Sequence, residues 1–469
     1  MQVKSWMLKE ALSSLERAEA AGEVPGAVAL ALRASVANRL GDARTALAHY
    51  DQLVDEGQPA FASNAAMSLL YADHVSPKEV AARHQALFAD WAEGARTRAS
   101  FAADPNPNRP LRIGFVTADL HHQHPVNIFL QPLLARWDHD RFPLTVYFTG
   151  PSSDDQTRLA RSRARGWREV ALPGLPVAVA ADAIDILIDL SGHTAGGALA
   201  HFARRMAPVQ VTWLGYPGST GVPNVDWLIG DPVVTPPEAD SLCSERVMRL
   251  PDTVFCFVPE TDHPLPDFVA AARGRPFTFG SFNNVPKLTP RTLSLWSAAL
   301  AAVPDARLVL RAPSFQDATA VARFRDLFAE AGTDPARLIF RGPVGLDAMM
   351  QAYAEIDIAL DPLPYNGGTT TLQAMWMGVP VLSLKGEHFV SRMGASFLDA
   401  AGLSGWVVDS EAAFVSRARA AAADRQALIA LKQGLRARLV SCPAWNPDRF
   451  AASSHKALRD IWKQTMARP

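Results

Sequence analysis

The chain has two regions that differ in the spacing of their apolar residues. Up to about residue 97, apolar residues that are mostly Ala and Leu recur at the spacing of amphipathic helices, and no strand-like run interrupts them. From residue 111 onward, short runs rich in Val, Ile, Leu and Phe alternate with helical stretches. This alternation is typical of a parallel α/β sheet, and it starts again after about residue 265. We therefore predict an α/β fold with two Rossmann-like lobes behind an all-α region.

The apolar runs predict the elements and the domain boundaries. Strands are predicted at 111–117, 144–148, 184–190, 277–282, 306–311, 337–340, 356–360 and 379–384. The predicted segments are a helical region over 1–97, a Pro-rich linker over 98–110, an N-terminal lobe over 111–265, a C-terminal lobe over 266–440 and a final helix over 441–469. Ligands of such sheets bind beyond the carboxyl ends of the strands, so we expect the site in a cleft between the lobes.

One stretch of the helical region has the spacing of a tetratricopeptide repeat. Gly41 ends one helix, and Ala46 and Tyr50 occupy the small and aromatic positions of the next. The large aromatic residue expected early in the first helix is missing, and no clean second copy follows. A degenerate repeat and an ordinary helical bundle both remain open.

Charge and composition exclude several classes of protein. Lys and Arg number 46 against 47 Asp and Glu, a formal net charge of −1, which gives no general attraction to nucleic acid or an anionic membrane. The three cysteines form no CxxC pair, so neither a disulfide framework nor a cysteine zinc site is expected. The acidic, amphipathic start does not resemble a secretion signal, and no apolar run reaches the ~20 residues of a membrane span. We expect a cytoplasmic protein without membrane or nucleic-acid partners.

The segment 361–371, DPLPYNGGTTT, follows a predicted strand and precedes a predicted helix. Its glycines would let a ligand approach the backbone, and its threonines are expected to cap the helix. A helix N-terminus offers N–H groups and partial positive charge, which suit a diphosphate. A well-capped turn without a ligand is the alternative.

Lys287 lies shortly after the predicted strand at 277–282 and before the next helix. There it would face the expected cleft and neutralise charge that grows on a departing diphosphate. An ordinary surface lysine is the alternative interpretation.

Three histidines lie in the loop after the first strand: His121, His122 and His124. They have no carboxylate or cysteine partner at a usual ligand spacing, so we expect no metal site. His124, fixed ahead of Pro125, is the best placed to act as a hydrogen-bond donor or base. Two further clusters, at 189–194 and 207–221, end predicted strands with glycines and small polar residues, as either a close ligand approach or a packed turn requires.

Taken in order, these segments resemble the catalytic region of the O-linked N-acetylglucosamine transferase and SPINDLY-like family. The resemblance covers roughly residues 60–465 and rests on the entry segment at 63–77, the His124–Pro125 pair, the WLGYPG block at 213–218, the segment 283–287, the turn at 365–371 and SRMGAS at 391–396. It implies a GT-B fold and inverting, metal-independent transfer of a sugar to Ser or Thr hydroxyls of a protein.

The same resemblance assigns the site. Lys287 matches a lysine on the diphosphate, Asn284 a neighbouring nucleotide contact, and His124 an active-site histidine once proposed as the base. The turn contributes Gly367 and Gly368, with Thr369 and Thr370 as the phosphate-binding pair. Gln373 stands where animal members carry an Asp that holds the ribose. No metal or cofactor is implied, and UDP-N-acetylglucosamine is the expected co-substrate.

Three other functions stay open. The scaffold could use a deoxyhexose or nonulosonic-acid donor on a dedicated bacterial target such as flagellin. It could be a non-catalytic adaptor that holds a protein with its N-terminal helices, or a sugar-nucleotide epimerase with two such lobes. Retention of Lys287 and the threonine pair favours a transferase.

Overall fold

The computed structural model describes residues 7–101, 104, 106, 108–151, 153–259 and 261–467. By its internal contacts the chain divides into two units, and each unit combines two stretches of sequence. The first unit is Met1–Ser76 with Thr261–Val440, and the second is Pro77–Glu260 with Ser441–Pro469. These two units do not have the same bounds as the five segments predicted from the sequence. The five-segment division into domains stays a prediction.

The N-terminal part of the first unit is helical throughout the described residues. Its helices are α1 (Leu8–Ala20), α2 (Gly26–Arg39), α3 (Ala43–Asp55) and α4 (Ala62–Leu69). Asp42 caps α3 by accepting a hydrogen bond from the Thr45 backbone nitrogen at 3.1 Å. Gly41 has φ of +75°, and a Cβ there would lie 2.8 Å from the Phe324 ring and 3.0 Å from Val285. These helices therefore pack directly on the later part of their unit.

The second unit holds the first sheet. Its helices are α5 (Pro77–Phe88), α6 (Pro125–Leu134), α7 (Asp155–Ser162), α8 (Leu175–Ala181) and α9 (Leu199–Ala203), with the last helix of the chain, given below. Its strands are β1 (Ile113–Thr117), β2 (Leu144–Phe148), β3 (Gly166–Glu169), β4 (Ile186–Asp189), β5 (Val209–Thr212), β6 (Trp227–Gly230) and β7 (Arg246–Arg249). Among described residues the strands pair in parallel in the order β3-β2-β1-β4-β5-β6-β7.

The first unit holds the second sheet. Its strands are β8 (Thr278–Ser281), β9 (Arg307–Arg311), β10 (Leu338–Arg341), β11 (Ile358–Leu360), β12 (Val381–Leu384) and β13 (Val407–Val408). Within the part of the chain that is described they are parallel, in the order β10-β9-β8-β11-β12-β13. The remaining helices are α10 (Phe268–Ala272), α11 (Pro290–Ala301), α12 (Ala318–Glu330), α13 (Leu346–Ala352), α14 (Thr369–Trp376), α15 (Met393–Ala400), α16 (Glu411–Ala423), α17 (Arg425–Leu439) and, in the second unit, α18 (Pro447–Met466).

The central strands are buried along their whole length, because helical crossovers cover the faces of a parallel sheet. Each of the eight predicted strands corresponds to an observed strand, trimmed by one or two residues at most ends. The two-lobe, parallel-sheet prediction is confirmed. In the described ranges no helix is both long and apolar enough to cross a membrane.

Candidate functional site

The segment 361–371 forms a tight turn from β11 into α14, here named the Gly–Thr turn. Asp361, which opens it, is buried, and its carboxylate accepts hydrogen bonds from the Gly367 backbone nitrogen at 2.7 Å and from Ser383 Oγ at 2.6 Å. A Cβ on Gly367 would lie 2.3 Å from Thr371 Oγ1. Any larger residue at position 367 would force the turn or the threonine side chains to shift.

The threonines do not cap α14, which corrects one expectation. The N-cap residue is Gly368, and no side chain accepts a hydrogen bond at that helix end. Thr370 Oγ1 instead donates to Asn283 Oδ1 at 3.0 Å, which ties the turn to the loop after β8. A Cβ on Gly368 would meet no atom within 4 Å, so this face of the helix start is open. An uncapped, open helix N-terminus is the arrangement that binds phosphate oxygens.

Lys287 lies against this turn. Its Nζ donates to the carbonyl oxygen of Asn366, the residue before Gly367, at 2.7 Å, and lies 4.2 Å from the centroid of the Tyr365 ring. That ring stacks on Tyr71 with centroids 4.9 Å apart. Burial lowers the pKa of Lys287 to about 8, while the nearby Asp361 carboxylate opposes the shift. The cation predicted to hold a diphosphate is thus next to the turn predicted to do the same.

The other two predicted donor contacts lie in the same unit as Lys287. Asn284 is exposed and opens the short helical turn Val285–Lys287, where its carbonyl accepts the Lys287 backbone nitrogen at 3.0 Å. Gln373 is buried on α14, one turn after Thr369. The loop after β8 and the start of α14 are joined instead by the hydrogen bond between Thr370 and Asn283.

The histidine loop belongs to the second unit and differs from its prediction. His124 is the N-cap residue of α6, and its Nε2 is 3.7 Å from Asp119 Oδ1. Ser191 Oγ donates to the other oxygen of Asp119 at 2.6 Å, and the His121 ring centroid is 5.0 Å from that of His124. Burial lowers the pKa of His124, opposed by the charge of Asp119. The sequence showed no carboxylate partner for these histidines, and the structure supplies one.

The clusters at 189–194 and 207–221 mainly stabilise the packing of the second unit. Asp189 is buried and accepts from the Gly192 backbone nitrogen at 3.0 Å, and burial raises the pKa of this carboxyl to about 6. Burial lowers the pKa of His193 to about 3, and its Nε2 lies 2.8 Å from the Thr220 carbonyl oxygen. A Cβ on Gly215 would be 1.9 Å from the Leu190 carbonyl oxygen. Close packing accounts for these residues.

Sequence reasoning missed three contributors. Asp361 and Tyr365 lay inside the quoted turn without a role, although an Asp at a strand end ahead of glycines is a usable indication. Tyr71 lies in the segment 63–77, which the resemblance includes, but nothing in the sequence placed it near Lys287.

Comparison with known proteins identifies the family of the chain. The family model described as glycosyl transferase family 41 matches residues 47–265 and 274–453. The chain belongs to glycosyl transferase family 41. The probable UDP-N-acetylglucosamine–peptide N-acetylglucosaminyltransferase SPINDLY of Oryza sativa is 36% identical over 76% of this chain, and that of Arabidopsis thaliana is 35% identical over 76%. The chain spans 39% and 40% of the length of these curated relatives.

Solved structures give the same result for the fold. A lysine-to-methionine mutant of O-GlcNAc transferase from Thermobaculum terrenum superposes with a TM-score of 0.92 at 31% identity, covering 98% of this chain and 88% of that one. Anabaena HepE, solved with UDP and glucose, covers 75% of this chain at a TM-score of 0.50 and 14% identity, which shows the fold alone. The predicted resemblance to the O-linked N-acetylglucosamine transferase and SPINDLY-like family and the GT-B fold class are confirmed. The tetratricopeptide interpretation of the N-terminal helices stays a prediction.

Proposed function

We propose that this family 41 member transfers N-acetylglucosamine from UDP-N-acetylglucosamine to Ser or Thr hydroxyls of an acceptor protein, with inversion and without a metal ion. The observation that carries the proposal is the contact of the Lys287 ammonium with the Gly–Thr turn. A compact cation and an uncapped helix start on the same few residues suit a diphosphate. The names of the relatives, which are peptide N-acetylglucosaminyltransferases, support the donor and the acceptor class.

The chemistry assigned to Lys287 follows from charge development. In inverting transfer the acceptor oxygen attacks the anomeric carbon as the bond to the diphosphate breaks, and negative charge grows on the leaving phosphate. The lysine has three N–H donors, of which the Asn366 carbonyl takes one, so the same ammonium can also reach phosphate oxygens. Backbone N–H groups at the start of α14 add fixed positive potential. Together they would stabilise the negative charge on the leaving phosphate, which other transferases stabilise with a divalent cation.

His124 is proposed to orient the acceptor or the sugar, and Asn284 and Gln373 to contact the nucleotide. These roles rest on the resemblance and on the positions of the side chains at the ends of β1 and β8 and on α14. Gln373 is neutral, so any contact it makes with a ribose hydroxyl is an uncharged hydrogen bond.

The test compares two lysine variants in the same unit. Lys287→Ala is expected to lower the transfer rate by about 10²- to 10³-fold, the usual cost of removing one group that stabilises developing negative charge. Lys385→Ala is the matched control, because Lys385 pairs with Asp409 at 2.7 Å. Intact-mass analysis of a co-expressed acceptor measures transfer and identifies the sugar from the added mass. Near-normal transfer by Lys287→Ala would refute the mechanism.

The identity of the donor is tested separately. A nucleotide sugar that binds the folded state raises the melting temperature, and at equal concentration the donor that binds more tightly raises it more. We expect UDP-N-acetylglucosamine and UDP to stabilise the chain more than deoxyhexose or nonulosonic-acid donors. The reverse order would select the alternative donor, and no shift with any nucleotide would support the adaptor function.

A further inference from the structure

We propose that Asp119, His121 and His124 form a zinc site in the second unit, and that zinc bound there inhibits transfer. Each residue offers one ligand atom, and the three atoms lie within 4.8 Å of one another. Two imidazole nitrogens and one carboxylate oxygen are a common ligand set for zinc with an open fourth position.

The carboxylate is already oriented for this role. Asp119 is buried, and Ser191 Oγ donates to its Oδ2 at 2.6 Å, which leaves Oδ1 directed at His124. A hydrogen-bonded carboxylate of this kind is the usual partner arrangement around a metal ligand. The Asp119 backbone nitrogen is also held, by Thr117 Oγ1 at 3.0 Å.

One pair of ligand atoms is already close to the spacing around a zinc ion, and the side chain of His121 must move to complete the set. Two ligands at about 2.0–2.1 Å from a tetrahedral zinc ion lie roughly 3.3 Å apart. His124 Nε2 and Asp119 Oδ1 are 3.7 Å apart, too far for a hydrogen bond and only a few tenths of an ångström too far for two zinc ligands. His121 lies on the loop, at least partly accessible, so its side chain can move to complete the set.

The loop itself is held in place. The His122 backbone nitrogen donates to Asp154 Oδ2 at 2.7 Å, and the His124 backbone nitrogen donates to the His121 carbonyl oxygen at 3.2 Å. Gln123 between them has φ of +60°, which makes the chain turn sharply. The turn brings positions 121 and 124 to the same side, and both rings are near Asp119.

A zinc ion on His124 would occupy the nitrogen that faces Asp119. The histidine could then neither accept a proton nor orient a substrate through that atom. Inhibition therefore rests on the proposed function, whereas zinc binding does not.

Binding is measured first, with zinc alone on the full chain in competition with a chromogenic chelator. We expect one zinc ion per chain, and at least about tenfold weaker binding for His121→Asn, since even outer-shell changes weaken metal sites by 10- to 100-fold. His122→Asn is the matched control on the same loop and should bind as the unmodified chain does. Absence of zinc binding, or equal affinity in the His121 and His122 variants, would overturn the site.

Inhibition is measured second, on the same three proteins. Zinc should suppress transfer by the unmodified chain and by His122→Asn, a chelator should restore it, and His121→Asn should stay active at the same zinc concentration. Equal inhibition of all three proteins would overturn the regulatory claim. If the chain transfers sugar but binds no zinc, the zinc site is refuted and the proposed function stands. If it binds zinc but transfers no sugar, the proposed function is refuted and the zinc site stands.

Discussion

At the scale of single residues, the state of Lys287 sets a pH limit on nucleotide binding. Burial lowers its pKa to about 8, whereas the pKa of the facing Asp361, raised by burial, is about 6. Burial also raises the pKa of Tyr365 and of Tyr71, so both phenols stay neutral. Between pH 7 and 10 the lysine is thus the group at the turn that changes charge.

The sign of the effect follows directly. The free protein carries the cation below about pH 8 and loses it above, so UDP affinity should fall as pH rises from 7 to 10. Bound diphosphate favours the charged lysine. The decrease of kcat/KM with rising pH should therefore be centred near pH 8, and the decrease of kcat should be centred at a higher pH. Calorimetric titration of UDP across this range measures it, with Lys385→Ala as control. Constant affinity from pH 7 to 10 would contradict the assignment.

Alanine substitution should lower stability at Gly367 but leave it nearly unchanged at the neighbouring Gly368. The Cβ of Gly367→Ala would lie 2.3 Å from Thr371 Oγ1 and 2.9 Å from Thr370 Oγ1, so we expect a loss of about 1–3 kcal/mol and a lower melting temperature. Gly368→Ala places its methyl group in open space and should melt close to the unmodified chain. Thermal denaturation of both variants tests the pair, and equal melting temperatures would show that the turn is not held as described.

At the scale of elements, the segment after α4 supports the lysine from one side. Tyr71 stacks on Tyr365 at an interplanar angle of 16°, and the Tyr365 ring faces Lys287 Nζ. An aromatic pair is worth about 0.5–1.5 kcal/mol beyond its buried area. Tyr71→Ala should therefore weaken UDP binding roughly two- to tenfold, while Tyr71→Phe keeps the stack and the affinity. Calorimetric titration of both variants with UDP measures the two affinities. If Tyr71→Phe binds UDP as weakly as Tyr71→Ala does, the hydroxyl group and not the ring stack supports the lysine.

Elements also show which parts of the fold a sequence can predict. Central strands such as β4 and β12 are apolar runs because helices cover both of their faces, and the pattern alone revealed them. The equally buried strands β5 and β6 were not predicted. The edge strands β3 and β7 are half-exposed and carry charged residues, so their sequences GWRE and RVMR lack such a pattern. The pairing of Asp119 with His124 was equally hidden, because it depends on how the loop turns at Gln123.

At the scale of the whole molecule, the N-terminal helices are a built-in part of the first unit. The Leu8 backbone nitrogen donates to Asp317 Oδ2 at 2.7 Å, Ser314 Oγ donates to the Arg39 carbonyl oxygen at 2.7 Å, and Gly41 packs against Phe324. These contacts join α1–α3 to the region around α12.

Deletion of residues 1–76 should therefore destabilise the unit that carries Lys287. It would expose the buried Phe324 and remove Tyr71 from Tyr365, so we expect aggregation or a markedly lower melting temperature together with lost UDP binding. Soluble yield, thermal denaturation and UDP titration measure the three effects. A truncated chain that melts and binds UDP normally would show instead that the helices are a detachable module.

The position of α18 in the sequence affects when the second unit can fold during translation. α18 belongs to the unit that begins at Pro77, and there Trp227 Nε1 donates to Thr465 Oγ1 at 2.9 Å across the buried end of β6. Domains otherwise fold as they leave the ribosome, N-terminal parts first. Here the nascent sheet that contains β1 must wait, with its helix-binding face uncovered, until α18 has itself been synthesised.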